Sequence, residues 1–382
     1  MYVAVLGAGY AGIALARKLE RSLSDDVAIT VVDERETHVV QHLIHRLVRY
    51  PSLQDGLTVP IEALLDRATH RRARVTDLDP DAGEVTLEDG MLSYDVGAVC
   101  LGARTADYDI PGVEEYATPL KRPRHAEAIR ADFLDVCESG GRTVVVGAGL
   151  SGIQVAGELA DLARQRGASE AVEVRLLEQR GTVAPAFPGN FQRAVAEELA
   201  DRGVGVETGR TVEAVDADGL DLEGSEAVAY DQLVWTGGIT GGTALGGQRP
   251  QVRADLRLGE RTFAVGDAAR VVDANGEPAP ASAQTAVRQA DVAAENVGRL
   301  LGYYRDGDDF RPHMARYRYD ELGWLVSVGD GTVAQVGPSV LRGPAAKALK
   351  TTVGAGYLAS VGAIERASDL VWEEVGSKPV PG

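Results

Sequence analysis

The chain has 382 residues, of which 45% are hydrophobic, and a formal net charge of −18 from 57 acidic and 39 basic side chains. This length is too great for one ordinary hydrophobic core and predicts two or three domains. The negative charge argues against a nucleic-acid partner, because binding to phosphates needs a basic face.

Lysine accounts for only five of the 39 basic residues, and the acidic side chains are spread over the whole chain. We interpret this as a surface suited to high salt, where screening removes self-repulsion. A merely acidic, arginine-rich surface remains the alternative. The chain begins in a strand-like run and has no apolar run near the roughly 18 residues that span a bilayer. We therefore expect a soluble protein or one that lies on a membrane face.

A glycine motif opens the chain directly after this first strand-like run. Gly7, Gly9 and Gly12 follow the GxGxxG pattern, a helix-like stretch comes next, and a second strand-like run ends at Asp33. The first glycine permits a tight turn, the second lets the backbone approach a pyrophosphate, and the third lets helix and strand pack closely. The helix N-terminus offers unpaired N–H groups to phosphates. Asp33, 21 positions after Gly12, is placed to bind ribose hydroxyls.

The same pattern recurs later in the chain with Gly147, Gly149 and Gly152, and Gly147 follows Gly7 by 140 positions. It also precedes a helix-like stretch and a strand that ends in an acid, Glu178. Two such units in register predict two dinucleotide sites. A carboxylate at Glu178 favours the free 2′-hydroxyl of NAD over the 2′-phosphate of NADP, although Arg180 could soften this preference.

The cysteines and histidines predict neither a metal site nor a dithiol. Cys100 and Cys137 are 37 positions apart without a CxxC motif, which fits a reducing compartment. Cys100 is expected to be an inert thiol in a buried strand. His38, His42 and His45 have the spacing of one helical face, but we interpret them as packing and hydrogen-bonding residues and assign no metal ligand.

Five further segments carry a resemblance to a known family. They are Ser93–Ala103, Ile110–Val113, Val234–Gly238, Thr262–Asp267 and Pro280–Gln289. Together with the two glycine motifs, they resemble the two-dinucleotide-binding flavoproteins over nearly the whole chain. In detail they resemble type II NADH dehydrogenases. Relatives that reduce disulfides carry a cysteine pair just after the first ribose acid, where this chain has none.

The resemblance implies an α/β fold of the glutathione-reductase type with two Rossmann-like domains. The flavin domain would comprise residues 1–110 and 245–300, the NAD(H) domain residues 111–244, and a C-terminal region residues 301–382. The implied cofactors are FAD and NADH, and the implied activity is hydride transfer from NADH to FAD and electron transfer to a membrane quinone. The implied location is cytoplasmic, on the inner face of the cell membrane. For the C-terminal region, a membrane interface and a homodimer contact both stay open.

The resemblance, together with the motifs, also assigns site residues. Gln154 would contact the nicotinamide and Gln284 would border the flavin and the quinone pocket, and these two are the candidate catalytic positions. The expected FAD-binding residues are Gly7, Gly9, Tyr10, Ala11, Gly12, Asp33, Glu34, His38, Gly102, Gly266, Asp267, Ala283 and Gln284. The expected NAD-binding residues are Gly147, Gly149, Ser151, Gly152, Glu178 and Gly237.

The chain departs from the family pattern at several positions. Gln154 stands where a glutamate is usual, and Arg288 stands where a second glutamine is usual, which could place a cation near the flavin. In the C-terminal region, Lys347 and Lys350 stand where the family has tryptophans, so attraction to anionic lipid could replace aromatic anchoring. An apolar stripe is expected there, formed by Leu349, Val353, Tyr357, Val361 and Ile364. Packing of this stripe on the core or on a second subunit is the alternative.

The sequence is also compatible with two other functions. One is a soluble NAD(P)H-dependent flavin reductase that serves ferredoxin, oxygen or another small acceptor. The other is a redox-sensing protein that binds FAD and NADH and has little turnover. The segment around Gln284 favours the quinone reductase.

Overall fold

The structure is a computed structural model that describes residues 1–307 and 309–360. Its strands are β1 (Tyr2–Leu6), β2 (Ala28–Asp33), β3 (Thr37–Val39), β4 (Thr58–Pro60), β5 (Thr69–Arg72), β6 (Val75–Asp79), β7 (Glu84–Leu87), β8 (Gly90–Ser93), β9 (Val96–Val99), β10 (Arg104–Thr105), β11 (Thr118–Pro119), β12 (Gly141–Val146), β13 (Val172–Glu178), β14 (Gly205–Thr208), β15 (Val212–Val215), β16 (Gly219–Leu222), β17 (Val228–Ala229), β18 (Gln232–Trp235), β19 (Ile239–Thr240), β20 (Gln251–Val252), β21 (Thr262–Ala264), β22 (Arg270–Val271), β23 (Trp324–Val328), β24 (Gly331–Val336) and β25 (Ser339–Arg342).

The α-helices are α1 (Tyr10–Ser22), α2 (Gln54–Leu57), α3 (Val113–Tyr116), α4 (Pro123–Ser139), α5 (Leu150–Arg166), α6 (Gly189–Ala200), α7 (Ala283–Asp306) and α8 (Pro344–Ser360). Short 3₁₀ helices lie at Gln41–Val48, Pro51–Leu53, Ile61–Leu64, Thr243–Leu245 and Gly266–Ala268.

The first sheet has five parallel strands in the order β21-β9-β1-β2-β5. The side chains of Val3 to Leu6 in β1 are fully buried, as expected for a central strand covered on both faces. Helix α1 connects β1 to β2, and the long helix α7 returns to pack against α1 after β21 has joined the sheet edge. Segments 1–99 and 262–306 are therefore joined in one layered unit.

The second sheet has the same construction, with five parallel strands in the order β11-β18-β12-β13-β14. Helix α5 connects β12 to β13 in the way that α1 connects β1 to β2. The predicted α/β fold with two parallel-sheet units is confirmed. The two units are linked where β10 and β19 pair antiparallel, at the entry to and the exit from the second unit.

Antiparallel strands cover the ends of both units. Strands β6, β7 and β8 form one antiparallel meander, and strands β15, β16 and β17 form another. Strands β23, β24 and β25 form a further antiparallel sheet beside α5, and α8 packs against β24. The C-terminal sheet therefore packs against the second unit, and helix α8 contacts the first unit.

Candidate functional site

The backbone geometry of the three glycines in the first motif is compatible with the roles expected of them. Gly7 has a φ of +109°, and a Cβ added there would lie 2.4 Å from the carbonyl oxygen of Cys100. A Cβ on Gly12 would lie 1.7 Å from the carbonyl oxygen of Gly7, so helix and strand touch backbone to backbone. A Cβ added on Gly9, in contrast, would have no other heavy atom within 4 Å. The space beside Gly9 at the start of α1 is therefore open to a ligand.

The second motif repeats this geometry closely. Gly147 has a φ of +98°, a Cβ on Gly152 would lie 1.8 Å from the carbonyl oxygen of Gly147, and Gly149 meets nothing within 4 Å. Helix α5 begins at Leu150 with Gly149 as its N-cap, and no side chain caps it. Gly9 caps α1 in the same way. Both helix N-termini therefore present free N–H groups to a diphosphate.

The acid at the end of the second strand supports the loop in both units. Asp33 Oδ2 accepts a hydrogen bond of 2.7 Å from the Ala8 amide, and Glu178 Oε2 accepts one of 2.8 Å from the Ala148 amide. Asp33 also forms a two-point ion pair with Arg35. Burial works to raise the pKa of Asp33, but Arg35 outweighs it and holds the pKa below its ordinary value. Each acid thus holds the backbone of its own glycine loop.

The remaining residues expected in the first site lie around this loop. Tyr10 and Ala11 begin α1, and Gly102 follows β9 with a φ of +69° and open space at its Cα. Glu34 is tied to Arg74 and to Arg122 by ion pairs of 2.8 and 2.9 Å. The Glu34 carboxylate therefore contacts one arginine of the first unit and one of the second.

The Gly266–Asp267 motif lies between the starts of α1 and α7. A Cβ on Gly266 would lie 3.1 Å from Ala286 and 3.2 Å from Ala11, so only glycine fits. The buried Gln289 accepts a hydrogen bond of 2.8 Å from the Gly266 amide. Burial lowers the pKa of the nearby Lys121, while Asp267 counteracts that shift. Gln289 and Lys121 were not assigned from the sequence.

Gln284 is half-buried in the first turn of α7, next to Ala283. Ser282, and not Gln284, caps this helix by accepting a hydrogen bond of 3.1 Å from Thr285. Gln284 is therefore not a helix-capping residue. Arg288 turns to Asp320 on the exposed side of α7, with a hydrogen bond of 2.6 Å to the carbonyl oxygen and an ion pair of 3.1 Å to the carboxylate. The cation expected near the flavin is thus neutralised by Asp320.

In the second unit, Gln154 is half-buried and Ser151 is exposed in the first turns of α5. Gly237 follows β18, where a Cβ would lie 3.0 Å from the ring of Trp235. Trp235 itself donates a hydrogen bond of 2.7 Å to the Ala106 carbonyl oxygen in the linking segment. These residues lie along the same edge of the second sheet as the glycine loop.

One turn beyond Gln154, α5 carries a buried acid that the sequence analysis missed. Glu158 forms an ion pair of 2.7 Å with Arg49, whose side chain is fully buried and follows the 3₁₀ helix Gln41–Val48. Arg49 also pairs with Asp161 at 3.1 Å and with Asp330 at 2.5 Å. Burial raises the pKa of Glu158, whereas Arg49 lowers it. This ion cluster joins the first unit, helix α5 and the C-terminal sheet.

The three histidines do not share one helical face, because His38 lies in β3 and His42 and His45 lie in the following 3₁₀ helix. His38 Nδ1 lies 2.9 Å from the Ala8 carbonyl oxygen, so His38 contacts the first glycine loop. Its Nε2 lies 2.9 Å from the hydroxyl of Tyr357 in α8. No cluster of three potential metal ligands occurs among residues 1–307 and 309–360.

The prediction that Lys350 faces lipid is wrong. Its side chain is buried and lies close to Glu158 and to His45. Burial, together with the charge of Lys350, keeps the pKa of His45 well below its ordinary value. Tyr357, expected in an apolar stripe, packs edge-on against Tyr10 with ring centroids 4.7 Å apart. Part of the apolar stripe therefore packs on the core, which is one of the alternatives to a lipid-facing stripe.

Other members of the C-terminal stripe face outward. Val353 is 59% exposed and Lys347 is exposed, whereas Leu349 is half-buried. Val361 and Ile364 lie outside the described residues. Within the described part of the chain, no helix is both long enough and apolar enough to cross a bilayer.

Cys100 lies directly beneath the first loop. It is buried against Gly12, and burial raises the pKa of its thiol, as expected for an inert core cysteine. Cys137 lies in α4, and both cysteines are free. The chain's two cysteines thus provide no dithiol beside either loop.

Both loops therefore fit a dinucleotide: each has an open approach at its middle glycine, helix N–H groups without a side-chain cap, and a carboxylate at the end of the following strand. The family model of pyridine nucleotide-disulphide oxidoreductases matches residues 1–290. The chain belongs to this family.

Curated relatives narrow the comparison. The type II NADH:quinone oxidoreductase of Staphylococcus epidermidis is 28% identical over 358 residues, covering 86% of this chain and 87% of the relative. The enzyme of the same name from Staphylococcus aureus is 26% identical over 395 residues, covering 95% and 96%.

Solved structures share the fold. NDH2 from Plasmodium falciparum, determined with NADH, superposes with a TM-score of 0.83 at 15% identity and covers 98% of both chains. The sulfide:quinone oxidoreductase of Aquifex aeolicus superposes with a TM-score of 0.79 at 20% identity, covering 100% of this chain and 96% of that one. The likeness extends through the described part of the C-terminal region.

Proposed function

We propose that the protein oxidises NADH with a bound FAD and passes the electrons to a membrane quinone. The observation that carries this proposal is the duplicated loop, with one open dinucleotide cradle at Gly9 and another at Gly149. The two relatives named as NADH:quinone oxidoreductases, which align with most of the chain, support the choice of donor and acceptor.

FAD would lie in the first unit, formed by residues 1–110 and 245–300, and NADH in the second, formed by residues 111–244. Gly7, Gly9 and Gly12 would receive the FAD diphosphate, with Asp33 at the ribose and Asp267 at the ribitol chain. The other expected FAD contacts are Tyr10, Ala11, Glu34, His38, Gly102, Gly266, Ala283 and Gln284. Gly147, Gly149, Ser151, Gly152, Glu178 and Gly237 would receive NADH.

The chemistry needs positioning more than it needs a protein nucleophile. Bound FAD takes up a hydride from the nicotinamide and passes electrons on, and this reaction is the cofactors' own. The protein must hold the nicotinamide ring close to the flavin ring and exclude water from between them. Gln154 would bond the nicotinamide carboxamide without adding charge. Glu158, one turn further, holds α5 to the first unit through Arg49 and so fixes the distance between the two cradles.

Gln284 would border the flavin and the acceptor pocket. Its half-buried side chain is free of any capping role, since Ser282 fills that position. Replacing Gln284 by Ala should slow reoxidation by quinone while leaving reduction by NADH unchanged. Equal reoxidation rates in the variant and the parent would remove this assignment.

The absence of a nearby dithiol argues against disulfide chemistry. Cys100 is sealed beneath the first loop, and Cys137 is on α4. A soluble flavin reductase and a low-turnover redox sensor are the competing functions. Stopped-flow reoxidation of the NADH-reduced protein separates the three: fast reaction with quinone alone supports the proposal, fast reaction with ferredoxin or oxygen supports the soluble reductase, and stable reduced flavin supports the sensor.

The protein would lie on the inner face of the cell membrane through its C-terminal region, residues 301–382. The exposed apolar side chains there include Val336, Leu341 and Val353, with Lys347 on the same helix as Val353. Replacing Val353 and Leu341 by Asp should abolish flotation with anionic vesicles. Unchanged flotation would refute the anchor, and loss of a dimer instead would indicate a subunit contact.

A further inference from the structure

The two glycine loops differ in how the backbone of their alanine, Ala8 or Ala148, is held. In both loops the N–H of this alanine donates to the acid of the unit, Ala8 to Asp33 and Ala148 to Glu178. The carbonyl oxygen of Ala148 accepts a hydrogen bond of 2.8 Å from the backbone amide of Ala184. The carbonyl oxygen of Ala8 instead lies 2.9 Å from Nδ1 of the His38 side chain. The first loop is thus held by a side chain at the position where the second loop is held by a backbone amide.

The hydrogen bonds around His38 have a fixed direction. A carbonyl oxygen can only accept, so Nδ1 carries the proton and donates to Ala8. Burial lowers the pKa of His38 to about 4, so the ring is neutral near pH 7 and its Nε2 is an acceptor. The Tyr357 hydroxyl, 2.9 Å away, must therefore donate to Nε2. This donation from α8 fixes the tautomer that holds the loop.

Packing supports the same connection. The Tyr357 ring lies edge-on to the ring of Tyr10, the first residue of α1, at 4.7 Å between centroids. His38 and Tyr357 are 319 positions apart in the chain. Helix α8 is therefore joined to the first loop by the packing of Tyr357 on Tyr10 and by the hydrogen bonds that run from Tyr357 through His38 to Ala8.

We propose that Tyr357 is a positioning residue for FAD, through which docking of α8 holds the first glycine loop, while the second loop needs no such contact. The inference rests on the assignment of FAD to the first loop. Its consequence is that retention of FAD depends on the C-terminal helix and retention of the nicotinamide nucleotide does not.

The test compares the flavin-loaded parent with Tyr357→Phe, which keeps the ring contact and removes only the hydroxyl. The variant leaves the buried Nε2 without its donor, so FAD should bind about 5- to 150-fold more weakly. FAD release after dilution is followed by flavin fluorescence, and NAD⁺ affinity by equilibrium dialysis. Tyr304→Phe is the matched control, because its hydroxyl contacts Glu260 at 3.2 Å, away from both loops.

The expected result is faster FAD release from Tyr357→Phe with unchanged NAD⁺ affinity, and no change in Tyr304→Phe. Equal weakening of both nucleotides would show a general structural role and overturn the inference. Unchanged FAD release would also overturn it, provided that Gly9→Val loses FAD. If Gly9→Val instead keeps its FAD, the assignment of FAD to the first loop is wrong, and the proposed function with it.

A second variant tests the direction of the hydrogen bonds. His38→Asn keeps an amide donor for the Ala8 carbonyl oxygen but offers Tyr357 no acceptor in place of Nε2. Adding Tyr357→Phe to His38→Asn should therefore change FAD release no further. Additive effects of the two substitutions would mean that Tyr357 acts independently of His38, which contradicts the proposal.

Discussion

Replacing Arg49 by Met should destabilise the protein strongly, and more so at high pH. Arg49 is fully buried and pairs with Glu158 at 2.7 Å, Asp161 at 3.1 Å and Asp330 at 2.5 Å, and the first two of these acids are themselves fully buried. Methionine would fill most of the space but would leave two buried carboxylates facing each other without this cation. Breaking a buried pair from one side costs about 3 to 5 kcal/mol.

The pH dependence has a definite sign. Burial already raises the folded-state pKa of Glu158 above its value in the unfolded chain, against the lowering effect of Arg49. Removing Arg49 should raise it further, so the folded variant holds a proton on Glu158 that the unfolded chain has released. Its stability should therefore fall as pH rises above about 4.5, the ordinary range of a glutamate. The loss caused by Arg49→Met should be smaller at pH 5 than at pH 8.

The free energy of unfolding, measured in denaturant at both pH values, tests this reasoning. Arg164→Met is the matched control, because Arg164 is 55% exposed although it also pairs with Asp161, at 2.8 Å. An exposed pair contributes about 1 kcal/mol or less. Adding Glu158→Gln to Arg49→Met should recover stability at pH 8. A loss no greater than that of Arg164→Met, or one that does not change with pH, would refute the account of the cluster.

Three further predictions concern the loops. Gly149→Val should fold, since a Cβ there meets nothing within 4 Å, but its side chain enters the diphosphate space, so KM for NADH should rise by about tenfold or more; an unchanged KM would place NADH elsewhere. Glu178→Ala should narrow the preference for NADH over NADPH, as measured by kcat/KM with each donor; an unaltered ratio would contradict its ribose role. Because burial raises the pKa of the Cys100 thiol, a thiol reagent should modify Cys137 before unfolding and Cys100 only after it; modification of Cys100 in native protein would contradict its burial.

The duplicated unit could be predicted from the sequence because the backbone geometry of its loop permits only glycine at fixed positions. A positive φ at Gly7 and backbone contact at Gly12 both exclude a side chain, so the glycines stand at fixed spacing. The β-strand runs and the terminal acids follow from the same local geometry. Residues whose role depends only on their neighbours in the chain were therefore recognisable.

The supporting contacts could not be predicted, because they join distant parts of the chain. Arg49 meets Asp330 across 281 positions, and no local pattern distinguishes it from Arg46. Lys350 was expected at a lipid surface because it stands where the family has a tryptophan, yet it is buried beside Glu158. Gln289 is buried and accepts a hydrogen bond from the Gly266 amide, whereas Gln284 is half-buried, and this difference depends on how α7 packs against the rest of the fold.

The central claim is that the first loop holds FAD and the second delivers the hydride. Anaerobic titration of the FAD-loaded protein with NADH, followed by the loss of oxidised-flavin absorbance, tests it most directly when the parent is compared with Gly149→Val. We predict rapid bleaching of the parent, whereas the variant should keep its FAD and bleach far more slowly. Parent protein that takes up no FAD, or a variant that bleaches as fast as the parent, would contradict the claim.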